Sequence, residues 1–191
     1  MSGIDEYMEA SLAVLAATRK HLDSQLVERA IAIIVAALSA DKPLLVCGNG
    51  GSAADAMHIA GELVGKFLAP RRALKVYALP ADSVFLTAWS NDVSFEEIFS
   101  RQVEAYGEKG GVLLAISTSG RSKNVLAAAR AAKSKGMTTI GLTGQGGATL
   151  GPMVDILLDV PSTSTPLIQQ AHICIYHYMC AEIERRIAAS H

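Results

Sequence analysis

From Pro43 onward, two kinds of apolar pattern take turns along the chain. Short continuous runs occupy Leu44–Gly48, Leu74–Leu79, Val112–Ser117, Thr138–Leu142 and Asp155–Val160. Unbroken rather than alternating hydrophobicity marks strands covered on both faces. Between most of them the apolar residues recur at helical spacing, over Ala53–Phe67, Ser83–Tyr106 (in two pieces), Ser122–Lys135 and a short stretch at Ala148–Met153. A last helix runs from Pro166 to Ala188, and two helices, Asp5–Arg19 and Ser24–Ala40, precede the first strand, with Ser24 placed to cap the second. The order β-α-β-α-β-α-β-α-β calls for a parallel sheet with right-handed crossovers and helices on both faces. Ligands of such sheets bind beyond the carboxyl ends of the strands, near the switch point.

Composition narrows the class without naming a function. The 191 residues suit one domain; half are hydrophobic and 18% charged, and aromatics are so few, at 5%, that the core must be aliphatic. A net charge of -1 gives no electrostatic case for nucleic acid as a partner. The adjacent Arg71 and Arg72 read as a solvated loop. Cys47, Cys174 and Cys180 are odd in number and form no Cys-x-x-Cys pair. They read as buried apolar thiols rather than a disulfide framework or a zinc knuckle. The N-terminal MSGIDEYMEA has no apolar core of a signal peptide, and no apolar run is long enough to span a membrane. A cytoplasmic protein without a membrane partner is the expectation.

Two loops carry the first candidate chemistry. Gly48-Asn49-Gly50-Gly51-Ser52 follows the first strand and opens a helix, where free N–H groups and a partial positive charge favour an anion. The spacing is neither that of a dinucleotide loop nor that of a Walker loop, so the pattern alone leaves an anion loop and a tight turn both open. Ser117-Thr118-Ser119-Gly120-Arg121-Ser122 follows the third strand and also opens a helix. Its hydroxyls exceed the needs of a cap and could satisfy the oxygens of a phosphate without a strong cation. Together the loops suggest a phosphorylated small molecule.

The second candidate is a set of polar residues on apolar helices. His58 and Glu62 are four residues apart and share a helix face. Gln169, His172, Tyr176 and His177 lie on the last helix. Buried polar groups need partners, and His58, Glu62 and His177 could hold one divalent ion, with Gln169 adding a neutral oxygen. Nitrogen and carboxylate ligands suit zinc. Gln169 and His177 are eight positions apart, so a regular helix separates them by about 12 Å along its axis and about 80° around it. Either Gln169 precedes the regular helix or the residues come from different subunits; the second is preferred, which makes an active site shared between subunits an expectation.

The motifs GNGGSAADAMHIAGE, WSNDVSFEEIFSRQV, AISTSGRSKNV, LTG and TPLIQQAH, with a further His after them, resemble the SIS (sugar-isomerase) domain family over roughly residues 5 to 188. The resemblance implies an α/β fold: a three-layer αβα sandwich with a five-stranded parallel sheet of flavodoxin-like type. One SIS domain would then span 1–191, with N-terminal helices 5–40 used in oligomer packing. Within the family the chain is most similar to enzymes that convert D-sedoheptulose 7-phosphate to D-glycero-D-manno-heptose 7-phosphate for bacterial surface polysaccharides such as lipopolysaccharide or capsule. Those relatives are cytoplasmic homotetramers with zinc and with active sites between subunits. Their ligands match His58, Glu62, Gln169 and His177. Their substrate contacts match Asn49, Gly50, Gly51, Asn91, Asp92, Ser117, Thr118, Ser119 and Ser122, with Glu62 and Gln169 again, and the Ser52 hydroxyl extends that set. The resemblance implies Glu62 as base and His177 as acid, with the metal polarising a carbonyl or holding the site in shape. Lys66, Trp89 and Gln170 depart from the usual residues. A non-catalytic SIS regulator that binds a replication-initiation protein is the alternative, although such relatives lack the glutamate matched by Glu62; an isomerase of another phosphosugar is a third reading.

Overall fold

The computed structural model describes residues 3–189. Five strands, β1 (Leu44–Cys47), β2 (Val76–Ala78), β3 (Val112–Ser117), β4 (Thr138–Thr143) and β5 (Ile156–Asp159), form one parallel sheet in the order β2-β1-β3-β4-β5. This is the flavodoxin-like order, and the chain changes direction across the sheet between β1 and β3. The ends of those two strands, and hence the two loops singled out above, are therefore neighbours.

Among the described residues seven α-helices accompany the sheet: α1 (Ile4–His21), α2 (Ser24–Ser39), α3 (Gly51–Val64), α4 (Ser83–Asp92), α5 (Ile98–Tyr106), α6 (Lys123–Ser134) and α7 (Thr165–Ala188). Successive strand residues face opposite ways. Leu44 and Val46 pack with α2, α3 and α7, whereas Leu45 and Cys47 pack with α5 and α6. The result is the expected three-layer sandwich, with α1 lying against α7 outside it.

Some boundaries differ from the sequence reading for identifiable reasons. Asp23, not Ser24, caps α2: its carboxylate accepts from the Gln25 N–H, and Ser24 is already helical. The helical stretch from Ser83 to Tyr106 is in two pieces, as expected, with Val93 and Ser94 and a 3-10 turn at Phe95–Glu97 separating α4 from α5. The predicted short helix at Ala148–Met153 is instead two 3-10 turns, Gln145–Gly147 and Gly151–Met153. Gly146, Gly147 and Ala148 all have positive φ, a conformation that no α-helix contains. Arg71 is not a solvated residue. Its side chain is buried, pairs with Glu184, and donates to the carbonyls of Glu62, Gly65 and Arg72. Of the cysteines, Cys47 and Cys180 are buried as expected, but Cys174 is exposed on α7.

Candidate active site

Two groups of candidate residues come together in the structure, and α3 joins them. At its N-terminus, Gly50 adopts φ 56°, which lets β1 turn into the helix within four residues. A side chain at Gly51 would meet the Gln169 carboxamide, which lies against it. Ser52 is buried beneath this turn. Asn49 and Asn124 exchange two amide hydrogen bonds, each 2.8 Å, and so tie the loop after β1 to the start of α6. That pairing occupies much of the Asn49 side chain proposed for substrate.

The loop after β3 sits alongside. Ser117 donates to Ser122 at 3.2 Å. Gly120, with φ 62°, packs directly on the Gly147 backbone, so the two loops over β3 and β4 are in contact. Thr118, Ser119 and Arg121 line a cleft with Gln145, Ser162, Thr163 and Thr165. The hydroxyl-rich surface foreseen for an anion is present, and Arg121 adds the cation that the sequence reading did without.

Two turns along α3 lies the second group. His58 Nε2 is 3.1 Å from Glu62 Oε1 and 3.4 Å from His177 Nε2. One ligand atom from each of the three residues falls within 4.8 Å of the others. Around a tetrahedral ion with ligands at about 2.1 Å, neighbouring donor atoms stand about 3.4 Å apart. The His/Glu/His group thus has the donor set and spacing to hold a divalent metal. His58 is exposed and Glu62 and His177 are half-buried, with Phe67 packing beside the His177 ring at 5.6 Å.

Behind this group, the Tyr176 hydroxyl lies 3.0 Å from His58 Nδ1 and donates to Asp55 Oδ1 at 3.4 Å. Burial raises the Asp55 carboxyl above its ordinary range, opposed by Tyr176 and His58. Burial, reinforced by Asp55, also pushes the Tyr176 phenol up, so it remains a neutral O–H donor. Asp55 was not foreseen, although it precedes His58 by three residues and so shares its face of the helix.

The remaining predicted residues are elsewhere. Gln169 is in the body of α7, so it does not precede the regular helix, and its carboxamide lies against Gly51 at the start of α3. His172 is fully buried, its Nε2 donating to the Thr143 carbonyl, and burial pushes it down to about 4. It is a core residue. Asn91 and Asp92 end α4, exposed and hydrogen-bonded to each other. Gln170 donates to the Tyr7 hydroxyl of α1. Trp89 stacks on Phe85 beneath Arg101. Lys66 is exposed. No helix among the described residues is long and apolar enough to cross a membrane.

The SIS domain family profile matches residues 6–144. A phosphoheptose isomerase of Helicobacter pylori is 44% identical over 188 residues, covering 97% of this chain and 98% of its own. One from Bradyrhizobium is 52% identical over 156 residues, 82% of this chain and 79% of its own. Among solved structures, phosphoheptose isomerase from Neisseria gonorrhoeae superposes with a TM-score of 0.90 at 39% identity, covering 95% of this chain and 97% of that one.

Proposed function

The chain belongs to the SIS domain family and, within it, to the phosphoheptose isomerases, and on that premise we propose that it converts D-sedoheptulose 7-phosphate to D-glycero-D-manno-heptose 7-phosphate through an enediol. The observation that carries the reading is Glu62, held on α3 beside His58 and His177. Ketose-to-aldose isomerisation moves a proton from C1 to C2, while the C2 carbonyl becomes a hydroxyl and the C1 hydroxyl becomes a carbonyl. One carboxylate can perform both carbon transfers. Glu62 takes the C1 proton and returns it to C2. His177 moves the proton between the two oxygens.

Zinc is the metal best matched to two imidazoles and a carboxylate, and when bound it would supply electrophilic polarisation of the sugar oxygens or hold the site in shape. His58, Glu62 and His177 would hold it, with Gln169 as the fourth ligand. In its own chain the Gln169 carboxamide lies against Gly51 at the start of α3, two turns before His58, which favours a ligand set shared between chains and a homotetramer with active sites between subunits. An apolar groove lined by Leu15, Leu22 and Val27 of the N-terminal helices, with Ile175 and Tyr178, suits that packing. The phosphate would seat on Ser117, Thr118, Ser119 and Ser122 with Arg121 beside them. Asn49, Gly50, Gly51, Ser52, Asn91 and Asp92 would complete the sugar contacts. The cytoplasm and the supply of heptose for surface polysaccharides complete the proposal.

The test is turnover of D-sedoheptulose 7-phosphate with added zinc, followed by NMR of the anomeric protons, for wild type beside Glu62→Gln. Wild type should turn over, and the variant should lose roughly a hundredfold or more, the usual worth of a general base. No turnover by wild type, or equal turnover of a hexulose phosphate, would overturn the assignment.

A further inference from the structure

The chain Asp55–Tyr176–His58 raises a question of proton direction. Asp55 is 6% exposed, its Oδ2 has no partner, and its Oδ1 meets only the Tyr176 hydroxyl. A buried carboxylate without donors is costly. Tyr176 has one proton to give and two neighbours to give it to. If the proton turned to His58 Nδ1, the Asp55 carboxylate would face no donor at all. The His58 ring would then carry its own proton on Nε2, the atom that faces Glu62 and His177. If the proton stays on the Asp55 side, the Tyr176 oxygen accepts from His58 Nδ1–H, and the Nε2 lone pair is free.

We infer that Asp55 is a positioning residue for His58, acting through Tyr176: it fixes the direction of the hydrogen-bond chain, and with it the ring orientation and tautomer that present Nε2 as a metal ligand. This rests on the reading of His58, Glu62 and His177 as a metal centre. Partners of this kind, a carboxylate or carbonyl receiving the other ring N–H, orient ligating imidazoles generally. Here a phenol stands between carboxylate and imidazole. It is nearly buried between α3 and α7, so it also fixes the spacing of the helices that carry the ligands.

The experiment measures zinc affinity by competition with a chromophoric chelator for wild type, Tyr176→Phe, Asp55→Ala and the double variant. Visible absorption of the cobalt-loaded proteins reports ligand geometry. Tyr176→Phe keeps the packed ring and should weaken zinc binding by about 10- to 100-fold. Asp55→Ala should weaken it comparably, and the double variant no further than the worse single one, because both act through one chain. Asp55→Asn keeps an acceptor for the Tyr176 hydroxyl and should recover most of the loss. A purely structural role would instead lower the melting temperature of the metal-free protein and leave affinity unchanged. Wild-type affinity and cobalt spectrum in a folded Tyr176→Phe, or additive losses in the double variant, would overturn the inference. Absence of zinc binding by wild type would overturn the metal-centre reading itself.

Discussion

Replacing Glu184 by Gln changes one atom and should unsettle the segment that follows α3. Glu184 is 2% exposed. Its Oε1 accepts from the Phe67 N–H at 2.8 Å, and its Oε2 accepts from Leu68 and Ala69 at 2.6 and 2.8 Å. The Arg71 guanidinium stands 3.4 Å away. Gln keeps the first bond but can point an NH2 group at two N–H donors, and it leaves the buried Arg71 charge without its counterpart. Breaking one side of a buried, hydrogen-bonded pair costs about 3–5 kcal/mol, against a total stability of about 5–15 kcal/mol. For a chain of this size each kcal/mol moves the melting temperature by about 2–4 °C, so a drop of roughly 10 °C is expected. Urea unfolding at one fixed protein concentration measures the loss without a change in assembly. Amide exchange should accelerate at residues 67–69. A loss below about 1 kcal/mol, the value of a surface ion pair, with unchanged exchange at those amides would refute the reasoning.

Other outcomes follow from neighbouring features. His172 is held well below its unfolded value, at about 4, so the unfolded chain binds the extra proton first; its contribution is complete above about pH 6.5 and is lost as pH falls toward 4, by roughly 3 kcal/mol. Stability curves from pH 4 to 7 should therefore be shallower for a folded His172→Gln variant than for wild type. Gly120→Ala places a methyl group against the Gly147 backbone at φ 62° and should cost about 2 kcal/mol or more in chemical denaturation. Gly51→Ala meets only the Gln169 carboxamide, which can swing away, so the melting temperature should hold while the specificity constant for the sugar phosphate falls at least about tenfold.

The layers and the parallel sheet were open to sequence reading because β1, β3 and β4 are continuously apolar and the intervening helices periodic, whereas the strand order came only with the family resemblance. The glycine loop and the His58–Glu62 pair were legible for a similar reason: their chemistry is local, set by helix spacing. What escaped was nonlocal. Arg71 and Glu184 lie 113 positions apart (184 minus 71), and nothing in a two-arginine loop reveals a carboxylate arriving from α7. Asp55 reads as one more polar residue in a small-residue helix until Tyr176 comes down on it. The misplaced short helix after β4 failed on backbone geometry, since Ala148 adopts a positive φ that its side chain does not announce.

The fastening of α3 has a mechanical consequence. Gly50, Gly51 and the turn over Ser52 fix one end, and Arg71 grips the Glu62 carbonyl at 2.7 Å near the other. A rod pinned at one end only would swing its far end whenever the pinned loop shifted. Pinned at both, α3 behaves as a beam whose midsection barely deflects. A small shift of the loop after β1 would then leave His58 and Glu62 in place, so the two halves of the candidate site are insulated from one another by the stiffness of a single helix.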